Sequence, residues 1–184
     1  PRFVELIRRE IEHAKAGRKG RIIAKMNALD DVGIIQELYK ASQAGVRVDL
    51  IIRGHTRMRP GVPGVSENVR IVSIVGRFLE HSRIYYFHNG GDPDILIGSA
   101  DWMRRNLDDR VEVVLPVEDE TARARLKRTL KFCLDDNRQA WDLGPDGRYS
   151  LRWPAEDEPV RAFHDTLMHR AKRRTEEDDA AWSF

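Results

Sequence analysis

The chain has 184 residues, 41% of them hydrophobic and 34% charged, with 32 Lys and Arg against 30 Asp and Glu. That is enough for one domain, spanning 1–184, to bury a core without metals or disulfides. A lone cysteine excludes an internal disulfide framework, and no apolar run nears the ~20 residues of a membrane-spanning helix.

The chain opens on proline, without an initiator Met or a signal-peptide pattern, and reads as a domain excised from a longer polypeptide. "RFVELIRREIEHAKAG" sets Phe3, Ile7 and Ile11 at helical spacing before a glycine stop. "RIIAKM" is a short strand, "LDDVGIIQELYKASQAG" a helix with an aspartate start and Gly45 as its stop, and "VRVDLII" the next strand. Strand, helix and strand in that order predict parallel pairing through a crossover helix. A loop rich in glycine and proline, "RGHTRMRPGVPGVSEN", leads into the strand "VRIVSI". "GRFLEHSRIYYFHNGGDPDILIGSADWMRRN" then reads as a hairpin turning at "NGG", with His81 and Arg83 opening its first strand. "RVEVVLPV" is expected to be a full strand and "DETARARLKRTLKFCLDDNRQAW" one long helix. Within that helix Cys133, flanked by Phe132 and Leu134, is expected as a buried apolar filler in a reducing cytosol. A polar excursion, "DLGPDGRYSLRW", precedes a last helix near "PVRAFHDTLMHRAKRR". The acidic tail, 174–184, is expected to fray or to dock through Trp182 and Phe184. Neither an internal repeat nor a dividing linker is visible.

Charge is concentrated in one place. From Val46 to Arg83 there are seven arginines, no lysine and three acids, a local excess of four positive charges. Guanidinium forks match phosphate and carboxylate oxygens bidentately, so the segment is a candidate anion site. Ligands of open α/β sheets sit beyond the carboxyl ends of parallel strands, which is where Arg53 falls. The loop after it carries Arg57 and Arg59 and is braced by Pro60 and Pro63. On pattern alone a phosphate cradle and an ordinary connecting loop are equal readings. Of the six histidines, His13, His164 and His169 fit surface positions on helices, and His88 a structural place in its strand. His55 stands among the loop arginines. His81 differs because Arg83 lies two residues on, which in a strand puts both side chains on one face. An imidazole beside a guanidinium suits phosphoryl chemistry, the ring as nucleophile, acid or base and the arginine holding oxygens.

Three stretches resemble the last domain of the long bacterial polyphosphate kinases. They are "GRIIAKMNALDDVGIIQELYKASQAGVRVDLIIRG", "RPGVPGVSENVRIVSIVGRFLEHSRIYYFHNGG" and "GSADWMRRNLDDRVEVVLPV", in family order from Gly20 to Val117. The resemblance implies a phospholipase-D-like mixed sheet flanked by helices. In that superfamily a His-x-Lys begins one strand and a Gly-Ser-x-Asn cluster ends the next. Here His81 and Arg83 stand at the first position, and Gly98, Ser99 and Asp101 at the second. Arg83 replaces the lysine, Asp101 the asparagine, and the phosphodiesterase aspartate would fall at His88. The loop "GHTRMRPG" is more basic than the family's apolar, cysteine-bearing version.

The resemblance further implies reversible transfer of the terminal ATP phosphate to polyphosphate, with magnesium, through a phosphohistidine in a preceding domain. Arg53 and His81 are then nucleotide- or phosphate-contacting, with His81 as acid/base partner or transition-state stabiliser. Arg59, Arg77 and Arg83 are inferred supports of the polyphosphate chain, and Ser99 and Asp101 candidates to orient His81. No residue is a candidate metal ligand, so Mg2+ ligands are expected outside this chain. Partners are ATP or ADP, polyphosphate, the remaining domains and, in the full enzyme, a second copy of the chain. The expected location is cytoplasmic, with peripheral membrane association open to the full enzyme. A phospholipase-D-type phosphodiesterase or nuclease, needing a second His-x-Lys copy by dimerisation, and a non-enzymatic polyanion-binding module are the rival readings.

Overall fold

Three parallel strands form the middle of the molecule, as expected of segments that are apolar almost throughout. In this computed structural model, which describes residues 2–181 with side chains through Arg173, they are β1 (Arg21–Met26), β2 (Arg47–Ile52) and β3 (Val69–Ile74). β2 lies between the other two and is buried from Val48 to Ile52. The hairpin β4 (Ile84–Phe87) and β5 (Asp94–Gly98) pairs antiparallel beside β1, and β6 (Val114–Pro116) closes that edge. On the other side β7 (Ala140–Leu143) and β8 (Tyr149–Leu151) extend the sheet from β3. The order is β6-β5-β4-β1-β2-β3-β7-β8.

Helices cover both faces. α1 (Arg2–Lys15) and α2 (Val32–Gln43) pack Phe3, Leu6, Ile7, Ile34 and Leu38 against one face, including Val48, Leu50 and Ile52 of β2. α4 (Glu120–Asp135) and α5 (Phe163–Ala181) bring Leu130, Cys133 and Phe163 onto the other, where Ile51 points. Each such side chain contributes roughly 1.5–3 kcal/mol by burial, which outweighs the modest propensity differences among these segments. Cys133 is fully buried and desolvation pushes its thiol up to about 12, so it is inert filler. The Asn89-Gly90-Gly91 turn of the hairpin holds three consecutive residues at positive φ, which that sequence permits.

The structure differs from the sequence reading at four places. "RVEVVLPV" is a strand only from Val114 to Pro116, an edge strand paired on one side, and Val111 before it is fully exposed. α4 stops at Asp135, six residues before the end of its predicted span at Trp141. Buried Asp136 accepts the N–H groups of Arg138, Gln139 and Ala140 at 2.9, 2.6 and 2.9 Å and so turns the chain into β7. The polar excursion is the β7–β8 hairpin, whose outer residues Tyr149 and Ser150 are exposed and carry no apolar alternation. The helical backbone of α5 runs on into the acidic tail as far as Ala181, while Trp182 and Phe184 lie outside the described residues.

Two charged devices join elements. Glu10, fully buried on α1, accepts the N–H of Arg21 at 3.0 Å and of Asn89 at 2.7 Å, tying the helix to β1 and the hairpin turn. Arg8 forks onto Glu37 of α2 through two 3.0 Å bonds, and Lys40 adds a third at 2.8 Å. The Arg8 hydrogen bonds, opposed by burial and aided by Lys40, bring the Glu37 carboxyl from an ordinary 4.5 down to about 2. The folded carboxylate therefore protonates at lower pH than the unfolded one. Its stabilisation is complete above about pH 4.5 and lost as pH falls through about 2. Glu37→Gln is expected to flatten the urea midpoint's decline across that window; a decline as steep as the parent's would show that the α1–α2 pair does not couple to folding.

Candidate active site

Strand direction gathers the site. β1 and β2 are parallel, so Asn27 and Arg53 leave the same edge of the sheet. β4 is antiparallel to β1 and pairs Ile84 with Lys25, which brings the start of β4 to that edge. β5 pairs Ile97 with Ile84, so its end arrives there too. The residues before β4 and after β5, far apart in sequence, thus meet beyond the carboxyl ends of the parallel strands.

A buried carboxylate lies at the centre. Asp101 accepts the Asn27 N–H at 2.8 Å and the Arg83 guanidinium through Nε at 3.0 Å and Nη2 at 3.3 Å. Its position depends on Trp102, which is fully buried, stacks on Tyr85 at 5.3 Å and meets Phe3 at 5.5 Å. The Tyr85 hydroxyl donates to the Ala100 carbonyl, and burial, reinforced by Asp101, raises that phenol so that it stays a neutral donor. The network then runs outward. Arg53 Nη2 donates to Asn27 Oδ1 at 2.5 Å, and Nη1 to the Glu80 carbonyl at 3.2 Å. Lys25, buried in β1, donates to the Ser82 carbonyl at 3.1 Å and pairs with the Glu80 carboxylate. Burial by itself would raise that carboxyl, but Lys25 and Ser82 outweigh it and hold it below the ordinary range.

His81 sits inside this frame. The carbonyls of Glu80, His81 and Ser82 are held by Arg53, Arg83 and Lys25. Its own imidazole is exposed and, among the described residues, has no hydrogen-bond partner. A pinned backbone carrying a free ring is an arrangement that can meet a ligand without first breaking a contact.

The other sequence candidates are distributed differently from their predicted places. β4 starts at Ile84, so His81 and Arg83 precede the strand and share no face: Arg83 turns inward to Asp101 while His81 faces solvent. Ser99 donates to Glu112 and accepts the Val113 N–H at 3.1 Å, and Asp101 is engaged by Arg83 and Asn27; neither is hydrogen-bonded to His81. The arginine-rich segment is largely self-neutralised. Arg47 and Arg70 join Arg21 around the buried Asp49 at 2.8–3.2 Å. Arg57 and Arg59 remain exposed, without an ion-pair partner among the described residues, and line a groove with His55, Gly144, Gly147 and Tyr149. Arg77 is exposed too and lies over the Phe78 ring at 5.6 Å.

Lys25, Asn27 and Glu80 escaped the sequence reading. Lys25 had a signal, as the one charge inside a strand that is otherwise apolar after its first residue. His164, assigned to the surface, is buried. Magnesium, implied by the resemblance, does not fit the described residues. Among the described residues no group of three or more His, Cys, Asp or Glu could hold an ion, and Glu80 and Asp101 are committed to Lys25 and Arg83. Mg2+ takes oxygen ligands, often from substrate phosphates. Asp101→Ala is expected to cost about 3–5 kcal/mol of stability in urea unfolding, since it leaves the enclosed Arg83 charge unpaired. A loss below about 1 kcal/mol, the range of solvent-screened pairs, would remove Asp101 from the centre of this network.

Comparison with known proteins adds family to geometry. Residues 1–163 match the family model for polyphosphate kinase C-terminal domain 2. The chain is 59% identical over 169 residues to the polyphosphate kinase of Thermosynechococcus vestitus, covering 92% of this chain and 23% of that protein. It is 51% identical over 175 residues to polyphosphate kinase 1 of Chlorobaculum tepidum, covering 95% and 24%. The solved polyphosphate kinase of Porphyromonas gingivalis superposes with a TM-score of 0.89 at 39% identity, over 95% of this chain and 27% of that one. Nuc from Salmonella typhimurium, a phospholipase D family member, superposes at 0.52 with 13% identity, over 73% and 88%, and shares the fold alone. The chain thus spans about a quarter of the length of the kinases it matches. On the family match and on these identities, it belongs to the polyphosphate kinase family, as its C-terminal domain 2.

Proposed function

We propose that this domain contributes half of a site that reversibly transfers the terminal phosphate of ATP to inorganic polyphosphate. The other half, with the phosphohistidine, lies in a preceding domain of the same polypeptide. The observation that carries the reading is the tie between Arg53 and the loop bearing His81, through the Glu80 carbonyl. It places a guanidinium at the end of a parallel strand and an unengaged imidazole on one rigid frame. In this reading His81 acts as acid/base partner or transition-state stabiliser for the transferring phosphoryl group, and Arg53 contacts nucleotide phosphates. Arg59 and Arg77, exposed and without a carboxylate partner among the described residues, support the polyphosphate chain, with Arg57 extending that support along the groove. Arg83 acts through Asp101, fixing the loop from below, and Ser99 shapes the neighbouring turn through Glu112.

The phosphodiesterase reading is less well supported, because the position of the superfamily lysine is held by Arg83, already forked onto Asp101. A general polyanion-binding module would not need a free imidazole in a pinned loop. No helix of the described residues is long and apolar enough to cross a membrane. A cytoplasmic homo-oligomer is the assembly in which we place the domain, and peripheral contact with a membrane is compatible with it.

Binding of polyphosphate, ATP and a single-stranded oligonucleotide to the chain, at two salt concentrations, tests the proposal. Polyphosphate or ATP should bind best, and Arg53→Ala and His81→Ala should each weaken it about tenfold or more, the scale of one charge-assisted hydrogen bond. The chain alone should catalyse little transfer. Equal oligonucleotide binding that neither substitution alters, and that falls steeply with salt, would reduce the site to bulk charge. Cleavage of an activated phosphodiester abolished by His81→Ala would favour the phosphodiesterase.

A further inference from the structure

The loop that bears His81 has no apolar anchor of its own. Between Val75 and Ser82 every residue but Glu80 is exposed, with Phe78 at 52% and Leu79 at 77%. Hydrophobic burial therefore cannot fix this segment, and its order must come from polar contacts at a few points. One set is the attachment of Glu80 to Ser82 by Arg53 and Lys25 described above. The other comes from the opposite end of the sequence.

α5 begins at Phe163, and its first amides are taken up by side chains of the turn that ends α4. Phe163 N–H donates to Asp136 Oδ2 at 2.6 Å and His164 N–H to Gln139 Oε1 at 3.3 Å, so the helix start is fixed to the sheet. From that start the imidazole of His164, only 4% exposed, reaches the loop, and its Nδ1 accepts the Phe78 N–H at 3.1 Å. An acceptor at Nδ1 requires the neutral ring with its proton on Nε2. Gly76 lies flat against the same ring: a Cβ there would stand 2.4 Å from Nδ1 and 2.8 Å from Cε1. The Phe78 ring lies tilted beside the imidazole, at 5.9 Å between centroids. The His164 ring also lines a small cavity with Lys25, Arg53 and Glu80, so both attachments of the loop face one space.

We propose that His164 is a positioning residue: as a buried hydrogen-bond acceptor on α5 it clamps the loop at Phe78, and with Lys25 and Arg53 it sets where His81 and Arg77 stand. The clamp rests on geometry alone. Its consequence for ligand binding rests on the reading of His81 and Arg77 as phosphate-contacting. The glycine at 76 is part of the device, since any side chain there would push the loop off the ring. Nothing in the helical pattern of α5 separates this histidine from its surface neighbour His169, which among the described residues bonds its own helix, at the Asp165 carbonyl.

Backbone amide exchange in the 184-residue chain, resolved for Phe78 by NMR, reads the clamp directly. Polyphosphate and ATP affinity on the same samples reads its consequence. His164→Leu removes the acceptor, Gly76→Ala displaces the loop from an intact ring, and His164→Asn returns an acceptor oxygen close to the Nδ1 position. Phe78 exchange should accelerate about tenfold in the first two, the scale of one lost buried hydrogen bond, while β2 amides keep their protection. Polyphosphate affinity should fall with it, and His164→Asn should restore both. Unchanged Phe78 exchange in His164→Leu and Gly76→Ala would overturn the clamp, as would failure of His164→Asn to rescue. Released Phe78 with unchanged polyphosphate affinity would overturn the positioning role. If His164→Leu does not fold, Gly76→Ala carries the test. A parent chain that binds neither anion, yet whose Phe78 responds as stated, would defeat the functional reading and leave the clamp standing.

Discussion

The site depends on one buried carboxylate. Asp101 is enclosed with Arg83, and the pair would be unfavourable if either partner stood alone, since an uncompensated buried charge costs several kcal/mol. What makes it favourable is the set of groups that converge on it: two guanidinium nitrogens, the Asn27 amide, and the aromatic wall of Trp102, Tyr85 and Phe3 that excludes water. From this centre the order is transmitted outward through Asn27 to Arg53, and through Arg83 to the His81 carbonyl. The exposed loop that bears His81 is in this way tied to the buried aromatic cluster on the α1 face of the sheet.

The arginine-rich segment shows how misleading a net charge is before its partners are known. Of its seven arginines, Arg47 and Arg70 neutralise Asp49, Arg83 neutralises Asp101, and Arg53 satisfies an amide oxygen and a carbonyl. Arg57, Arg59 and Arg77 are left exposed, and they fall into two groups, one in the groove beside β8 and one on the His81 loop. Guanidinium geometry explains both uses. The same planar fork that would grip a phosphate is well matched to a carboxylate, and the fold uses it internally first.

Much of the architecture was legible because its signals are local. β1 and β3 lie where "RIIAKM" and "VRIVSI" predict, and α2 starts at its aspartate cap, Asp31, whose carboxylate accepts the Ile34 N–H. The parallel pairing of β1 with β2 follows from the crossover helix between them. The β7–β8 hairpin was hidden for the opposite reason: it is an exposed extension, so burial imposes little alternation on it. The end of α4 was hidden because a single polar side chain, Asp136, turns the chain by accepting the amides of the three residues 138–140, and no apolar periodicity marks that turn. Of the site, His81 and Arg53 were readable as chemistry-bearing types at special positions. Lys25, Glu80 and His164 were not, since each matters only through a partner distant in sequence.

The sequence by itself determined the family, the mixed α/β class and the parallel core, and it offered a candidate imidazole and guanidinium beside that core, because these are encoded in contiguous motifs and periodic burial. Only the tertiary structure decided how those groups are used. Whether a guanidinium is free or committed depends on which carboxylate the sheet register brings opposite it, as Asp101 is brought to Arg83 across 18 positions. Whether a histidine is a surface residue or a buried acceptor depends on where its helix docks, as α5 sets His164 against Phe78 across 86 positions. Those distances in sequence are closed by the fold alone, and no local pattern records them.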